Sequence, residues 1–181
     1  MKIRGNGRAK ILTSAELNRL FERGLLTPRD QLLFAFAYYG ACRISEALAL
    51  TTHDLAGGTV TLRKSTTKGK VATRILPIHP KLNRYLEIYS PSSGLIFPGR
   101  NGDKTLTRAS ADLILKIACK RTRITGASTH SFRRTALTNM SNANVPIRVI
   151  QQISGHQSLT ALQRYLDVNP EQVASAIALL V

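Results

Sequence analysis

Only one stretch of this sequence carries a strand-like pattern, and that fact constrains the fold more than any other. Gly57 and Gly58 make a turn, and Thr59 to Arg63 is rich in β-branched residues. Val71 to Ile78 is a second extended run, closed by Pro77. Between them lies Lys64-Ser-Thr-Thr-Lys68-Gly-Lys70, so the pair predicts a small antiparallel sheet with a basic hairpin tip. The rest reads as helix, which makes the chain mainly α with a small antiparallel β-sheet, an α+β fold.

Helix signals are plain elsewhere. Thr13 and Glu16 have capping-box spacing and predict a helix from Ser14 to Arg23. Thr27 and Pro28 form a cap and first-turn pair ahead of a buried helix that covers Leu32 to Tyr39 and stops at Gly40. Ile44, Ala47, Leu48 and Leu50 give another short helical face, with Arg43 at its beginning. Further helices are expected near 80–89, 107–121, 131–142, 146–153, 158–165 and 171–180, and Tyr89 to Asp103 reads as loop. In the last of these helices Val173, Ile177 and Leu180 make an apolar stripe. The basic residues 1–12 read as a flexible arm and 13–181 as one domain, which suits a length of 181 residues.

Charge narrows the partners. Twenty-six Lys and Arg against ten Asp and Glu leave a formal net charge of +16. Such a field attracts polyanions, and binding to duplex DNA releases condensed counterions. An acidic membrane would attract it too, but the sequence has no spanning run and no basic amphipathic segment with aromatic anchors. Cys42 and Cys119 have no metal-ligand spacing and read as buried thiols in a reducing cytoplasm. No phosphate-binding loop, dinucleotide fingerprint or HExxH motif is present, so no cofactor or metal is expected.

Four pieces carry chemistry: Arg43-Ile-Ser-Glu46, the basic hairpin, His130-Ser-Phe-Arg133, and Gly155-His156 with Tyr165 nine residues later. Taken singly, each has an ordinary explanation: a solvated arginine, a structural i, i+3 pair, a charged hairpin that blunts a sheet edge, a packed tyrosine. Together they supply everything metal-free phosphoryl transfer needs. Two arginines bind phosphate oxygens bidentately and keep their charge, and two histidines donate or accept protons near neutral pH. A lysine can act as acid and a tyrosine hydroxyl as nucleophile.

In order and spacing, GACRISEALAL, STTKGKVATRILPI, THSFRRTALTNM and ISGHQSLTALQRYLDV resemble the tyrosine recombinase (phage integrase) family, over about Leu12 to Asp167. The resemblance implies that family's catalytic-domain fold and a site-specific recombinase that cuts and rejoins DNA through a 3′-phosphotyrosine link, without metal or ATP. It implies that Arg43 and Arg133 clamp the scissile phosphate and that His130 accepts a proton or binds the phosphate. His156 would donate to a non-bridging oxygen, Tyr165 would attack, and Glu46 would buttress. Lys68 fits the general acid best, although its distance to Pro77 is about one residue longer than usual in the family; Lys70 is the alternative and Lys64 a more distant one. Arg63, Lys64, Lys70, Arg74, Lys116, Lys120, Arg121 and Arg123 are expected on the DNA backbone, where contacts position without specifying sequence.

Most members of that family carry a helical core-binding domain ahead of the catalytic one. None is expected in this chain, which reads either as a fragment or as a short form resembling the fimbrial-type invertases. The expected partners are double-stranded DNA and further copies of the chain, a tetramer on DNA and a monomer when free, with the last helix packed on a neighbour or folded back. The expected location is the nucleoid region of a prokaryotic cytoplasm. Two other functions stay open: a non-catalytic DNA-binding regulator of the same fold, and relaxation of DNA like a type IB topoisomerase.

Overall fold

The helix that organises the chain carries an unbroken apolar run from Leu32 to Ala37. A computed structural model describes residues 9–63, 72–163 and 170–178. In it Pro28–Tyr39 forms α2, capped by Thr27, whose hydroxyl accepts from the Asp30 amide at 3.2 Å, with Pro28 supplying a first turn that needs no donor. Every residue from Leu32 to Ala37 is buried, so α2 is covered on all sides rather than along one stripe. It packs against α3 (Ile44–Leu48), α4 (Pro80–Tyr89) and α6 (Thr129–Asn142). Aromatic rings close the core: Phe34 and Phe132 lie 4.8 Å apart, and Phe36 meets Phe97 edge-on at 6.1 Å.

The first helix begins as expected. Thr13 and Glu16 cap each other reciprocally ahead of α1 (Ser14–Arg19). The expected α-helix to Arg23 is corrected: Leu20–Gly24 continues as a π-helical turn, ending where the Leu25 amide donates to the Leu20 carbonyl. The arm is corrected too, at its end. Leu12 is buried and its amide donates to Thr135 Oγ1 at 2.8 Å, while Arg134 Nη1 donates to the Ala9 carbonyl at 2.6 Å. Residues 9–12 are therefore strapped to α6, because two polar groups of that helix take up the backbone of the strap.

The sheet has a strand the sequence did not mark. Leu55–Ala56 (β1) pairs with Thr59–Leu62 (β2) across the Gly57-Gly58 turn, and β2 pairs with Arg74–Pro77 (β3), all antiparallel in the order β1-β2-β3. Two residues are too few to show a period of two, so β1 had no signal. In β2 and β3 the alternation is clear: Val60, Leu62, Arg74 and Leu76 face inward, with Val60 opposite Leu76 and Leu62 opposite Arg74. The hairpin tip, with Lys64, Lys68 and Lys70, lies outside the described residues, as does Val71.

The remaining helices are α5 (Arg108–Thr122), α7 (Ile147–Ser154), α8 (Leu159–Gln163) and α9 (Pro170–Ala178). Helix α6 starts earlier than 131, at Thr129, where the Ser128 amide donates to Ser131 Oγ at 3.0 Å and the Ser131 amide donates to the Ser128 carbonyl at 2.8 Å. Cys42 and Cys119 are free and buried. Among the described residues, no helix is long and apolar enough to cross a membrane.

Candidate active site

Three separate elements bring their ends to one place. Arg43 is the residue before α3, in extended backbone, and Glu46 lies in the first turn of that helix. His130 and Arg133 sit one turn apart at the start of α6. His156 follows Gly155, which ends α7 in the left-handed conformation at φ +65°. Burial brings these polar groups together rather than dispersing them, because each holds another.

Glu46 is the hub and is 1% exposed. Its Oε1 accepts from Arg43 Nη1 at 2.9 Å, and its Oε2 accepts from the Arg43 amide at 2.8 Å and from Arg74 Nη2 at 3.0 Å. Arg133 Nη1 stands 3.8 Å from the same Oε2. Burial works against this carboxylate, but Arg74, the Arg43 amide, Arg133 and Arg43 together outweigh it and hold its pKa below the ordinary carboxylate value.

Arg133 is 1% exposed and fixed by backbone. Nη1 donates to the Ala41 carbonyl at 2.5 Å and Nη2 to the Ser154 carbonyl at 2.7 Å. Ala41 itself takes φ +46°, a strained choice for a residue with a Cβ, and it sits in the bend that delivers Arg43. Burial, and then Arg43, pull the Arg133 pKa down to about 10, still charged at neutral pH.

Both histidines are neutral at pH 7. Burial, then Arg133 and Arg43, push His130 down to about 4 and His156 to about 3. His156 Nδ1 lies 2.7 Å from Ser154 Oγ. The same hydroxyl lies 3.2 Å from the Gln151 carbonyl, and its single hydrogen can serve only one of these two acceptors. Three guanidiniums around one carboxylate leave an excess of positive charge at partly buried groups, which is the arrangement that stabilises an oxyanion.

The structure thus brings together Arg43, Glu46, His130, Arg133 and His156. Tyr165, Lys68, Lys70 and Lys64 lie outside the described residues. Arg63 is half exposed and bound by Nε to Asp54 Oδ1 at 2.5 Å and by Nη2 to Thr51 Oγ1 at 3.1 Å. Lys116, Lys120, Arg121 and Arg123 are exposed on or just after α5, with Arg121 also donating to the Gly24 carbonyl. Arg74 is not among these outward cations. It is 8% exposed and part of the cluster, because its place on the inner face of β3 turns it toward Glu46. The two-residue alternation that it shares with Leu76 was the signal that could have found it. Ser154, Ala41 and Gly155 were also not foreseen in their present roles; they act through backbone carbonyls, a hydroxyl and shape. Among the described residues, no group of three His, Cys, Asp or Glu side chains could hold a metal ion.

Comparison with known proteins finds one family model, the phage integrase family, matching residues 10–172. A tyrosine recombinase of Pseudothermotoga lettingae is 29% identical over 92% of this chain and 59% of its own length. The tyrosine recombinase XerC of Rhodospirillum centenum is 27% identical over 81% of this chain and 45% of its own. The chain thus spans about half the length of the curated relatives it matches. Among solved structures, the XerA recombinase superposes with a TM-score of 0.78 at 19% identity, over 98% of this chain and 65% of that one. The Tn1549 transposon integrase, in complex with a circular intermediate DNA, superposes with a TM-score of 0.80 at 14% identity, over 96% of this chain and 66% of that one. These likenesses establish the fold.

Proposed function

Since this chain belongs to the phage integrase family, we propose that it is the catalytic domain of a site-specific DNA recombinase and that its buried arginine–histidine cluster holds the scissile phosphate. The observation that carries the reading is the convergence of Arg43, Arg133, His130 and His156 on one preorganised cluster. Arg43 and Arg133 neutralise charge on the non-bridging oxygens. His156 donates to one of them, and His130, neutral, accepts a proton or binds the phosphate. Tyr165 Oη attacks the phosphorus, the 5′ oxygen leaves with a proton from Lys68 or Lys70, and a 3′-phosphotyrosine bond stores the phosphodiester energy. Attack by a 5′-hydroxyl reverses the step, so rejoining needs no nucleotide.

Arg63, Lys116, Lys120, Arg121 and Arg123, with the hairpin lysines, would hold the DNA backbone, while Arg74 serves inside the site. Copies of the chain would assemble as a tetramer on paired DNA sites in a bacterial nucleoid. The solvent-facing Val173 and Ile177 of α9 supply the apolar contact to a neighbour, at 52% and 64% exposure. A regulator of the same fold would have no use for a nucleophile or for a site that holds two arginines ready. The recombinase reading also takes precedence over DNA relaxation, because the relatives that match are named as recombinases.

The test is covalent attachment. Incubated with duplexes carrying scattered nicks in the presence of chelator, the protein forms a denaturant-stable adduct that maps to Tyr165. Tyr165→Phe binds the same duplexes with nearly unchanged affinity and forms none. An adduct that persists in Tyr165→Phe removes the nucleophile assignment. If no adduct forms even after fusion to a clamp domain with a known site, the protein binds DNA without cutting it.

A further inference from the structure

We infer that Arg74 is a positioning residue of the phosphate site: it engages the Glu46 carboxylate and so keeps Arg43 and Arg133 available to an anion. This deepens the phosphoryl-transfer reading and rests on it. Three observations meet at this one side chain. It projects inward from β3, 8% exposed, although the flanking Ile75 is 66% exposed on the outer face. Its Nη2 donates to Glu46 Oε2 at 3.0 Å. Its guanidinium also lies so close to Gly155 that a Cβ there would collide with Nη1 and stand 2.7 Å from Cζ. One arginine therefore ties the strand that follows the hairpin to the start of α3 and to the turn that delivers His156.

The energetic consequence concerns competition for one carboxylate. Glu46 Oε1 is committed to Arg43, and Oε2 is held by Arg74 with Arg133 standing off at 3.8 Å. Without Arg74, Arg43 and Arg133 are the cations left near Oε2 among the described residues. Arg133 would be drawn onto the carboxylate, and the fork meant for phosphate would be spent on Glu46. Arg74 also keeps Nε and Nη1 buried without a hydrogen-bond partner among the described residues. A buried guanidinium left partly unsatisfied is costly, which suits a group retained for the site rather than for stability.

The test uses Arg74→Met, which fills the space without charge, and Arg74→Lys, which restores the charge. The probe is inorganic phosphate, followed by the imidazole NMR signals of His130 and His156, alongside thermal unfolding and the rate of adduct formation on nicked duplex. Arg74→Met is expected to unfold close to the wild-type temperature, because Glu46 keeps Arg43 and Arg133 as cationic partners and is not left as an unpaired buried charge. Its phosphate affinity and adduct rate fall by about 10- to 100-fold, the usual cost of losing a group that orients a binding residue. Arg74→Lys recovers part of both. The inference is overturned by Arg74→Met binding phosphate within about two-fold of wild type, by a lysine that recovers nothing, or by a wild-type protein whose histidines do not respond to phosphate. Should Arg74→Met not fold, Arg74→Gln, which keeps a donor to Glu46 but no charge, carries the same expectation and the same refutation. A wild-type protein that binds phosphate, loses it with Arg74→Met and never forms an adduct supports this inference while removing the recombinase reading.

Discussion

Glu46 concentrates the energetics of the site, because removing it leaves Arg43, Arg74 and Arg133 facing one another with nothing between them. Breaking a buried ion pair from one side costs about 3–5 kcal/mol. Glu46→Ala is therefore expected to lower the unfolding free energy by about that much in urea titrations. A loss below about 1 kcal/mol would mean that the arginines repel one another less than their burial implies. The histidines add a pH dependence whose sign is fixed. His130 and His156 titrate at about 4 and 3 when folded, against 6.5 in the unfolded chain. Between those values the unfolded state binds more protons, so stability falls as pH drops from 6.5 toward 4. Glu46, with its folded pKa held low, loses its contribution only further down, as pH falls through that value. Unfolding measured from pH 8 to pH 4 should show a plateau above 6.5 and a decline below it, reduced in His130→Asn and His156→Asn. Single-turnover adduct rates under sub-saturating DNA should show no break near 6.5, since the free protein's histidines do not titrate there. A break at 6.5 that disappears in His156→Asn would place that ring in a more hydrated setting than its neighbours suggest.

At the scale of elements, what the sequence disclosed was decided by whether a local rule governed the result. Thr13 with Glu16 and Thr27 with Pro28 marked helix starts correctly, because capping is a contact between residues three apart. Arg43, Glu46, His130, Arg133 and His156 were legible as a set, and the fold does bring them together. Arg74 was read as a DNA-backbone cation; the alternation it shares with Leu76 turns it inward, whereas its close approach to Gly155, far along the chain, has no local signal. The π-helical turn at Leu20–Gly24 had no sequence signal, and β1 was too short to have one. Gly155 was read as part of a motif, whereas its physical task is twofold: a left-handed φ and a surface flat enough for Arg74. That duality makes a prediction. Gly155→Ala pays the left-handed penalty of about 1 kcal/mol and must also displace a buried guanidinium. In an Arg74→Ala background only the first cost remains. A double-mutant cycle read by urea unfolding is expected to give a coupling in the upper part of the range of about 0.5–3 kcal/mol for residues in direct contact. Additive effects within about 0.5 kcal/mol would show that the side chain moves aside freely.

For the whole molecule, charge bears on both the partner and the assembly proposed for it. A net +16 on 181 residues makes free copies repel, so the protein alone is expected to sediment as a monomer. Duplex DNA would remove that barrier, its phosphates neutralising the protein's cations as condensed counterions are released, and the apparent affinity should fall by about 0.9 logarithmic units per phosphate contact for each tenfold rise in salt. Neutralised copies still need a contact of their own, because a polyanion shared between neighbours does not fix their geometry. Helix α9 offers one: Val173 and Ile177 lie four residues apart on one helix face and both are exposed to solvent. Deleting residues 170–181 separates the two contributions. The truncated chain should keep the salt dependence of its first binding event, since none of the cations proposed for the backbone lies in that segment. It should lose the slower-migrating, multi-protomer complexes on paired duplexes in mobility-shift gels. Unchanged assembly after truncation would mean that α9 folds onto its own chain and that another surface joins the protomers. A parallel loss of the first binding event would instead make α9 part of the DNA-binding fold itself.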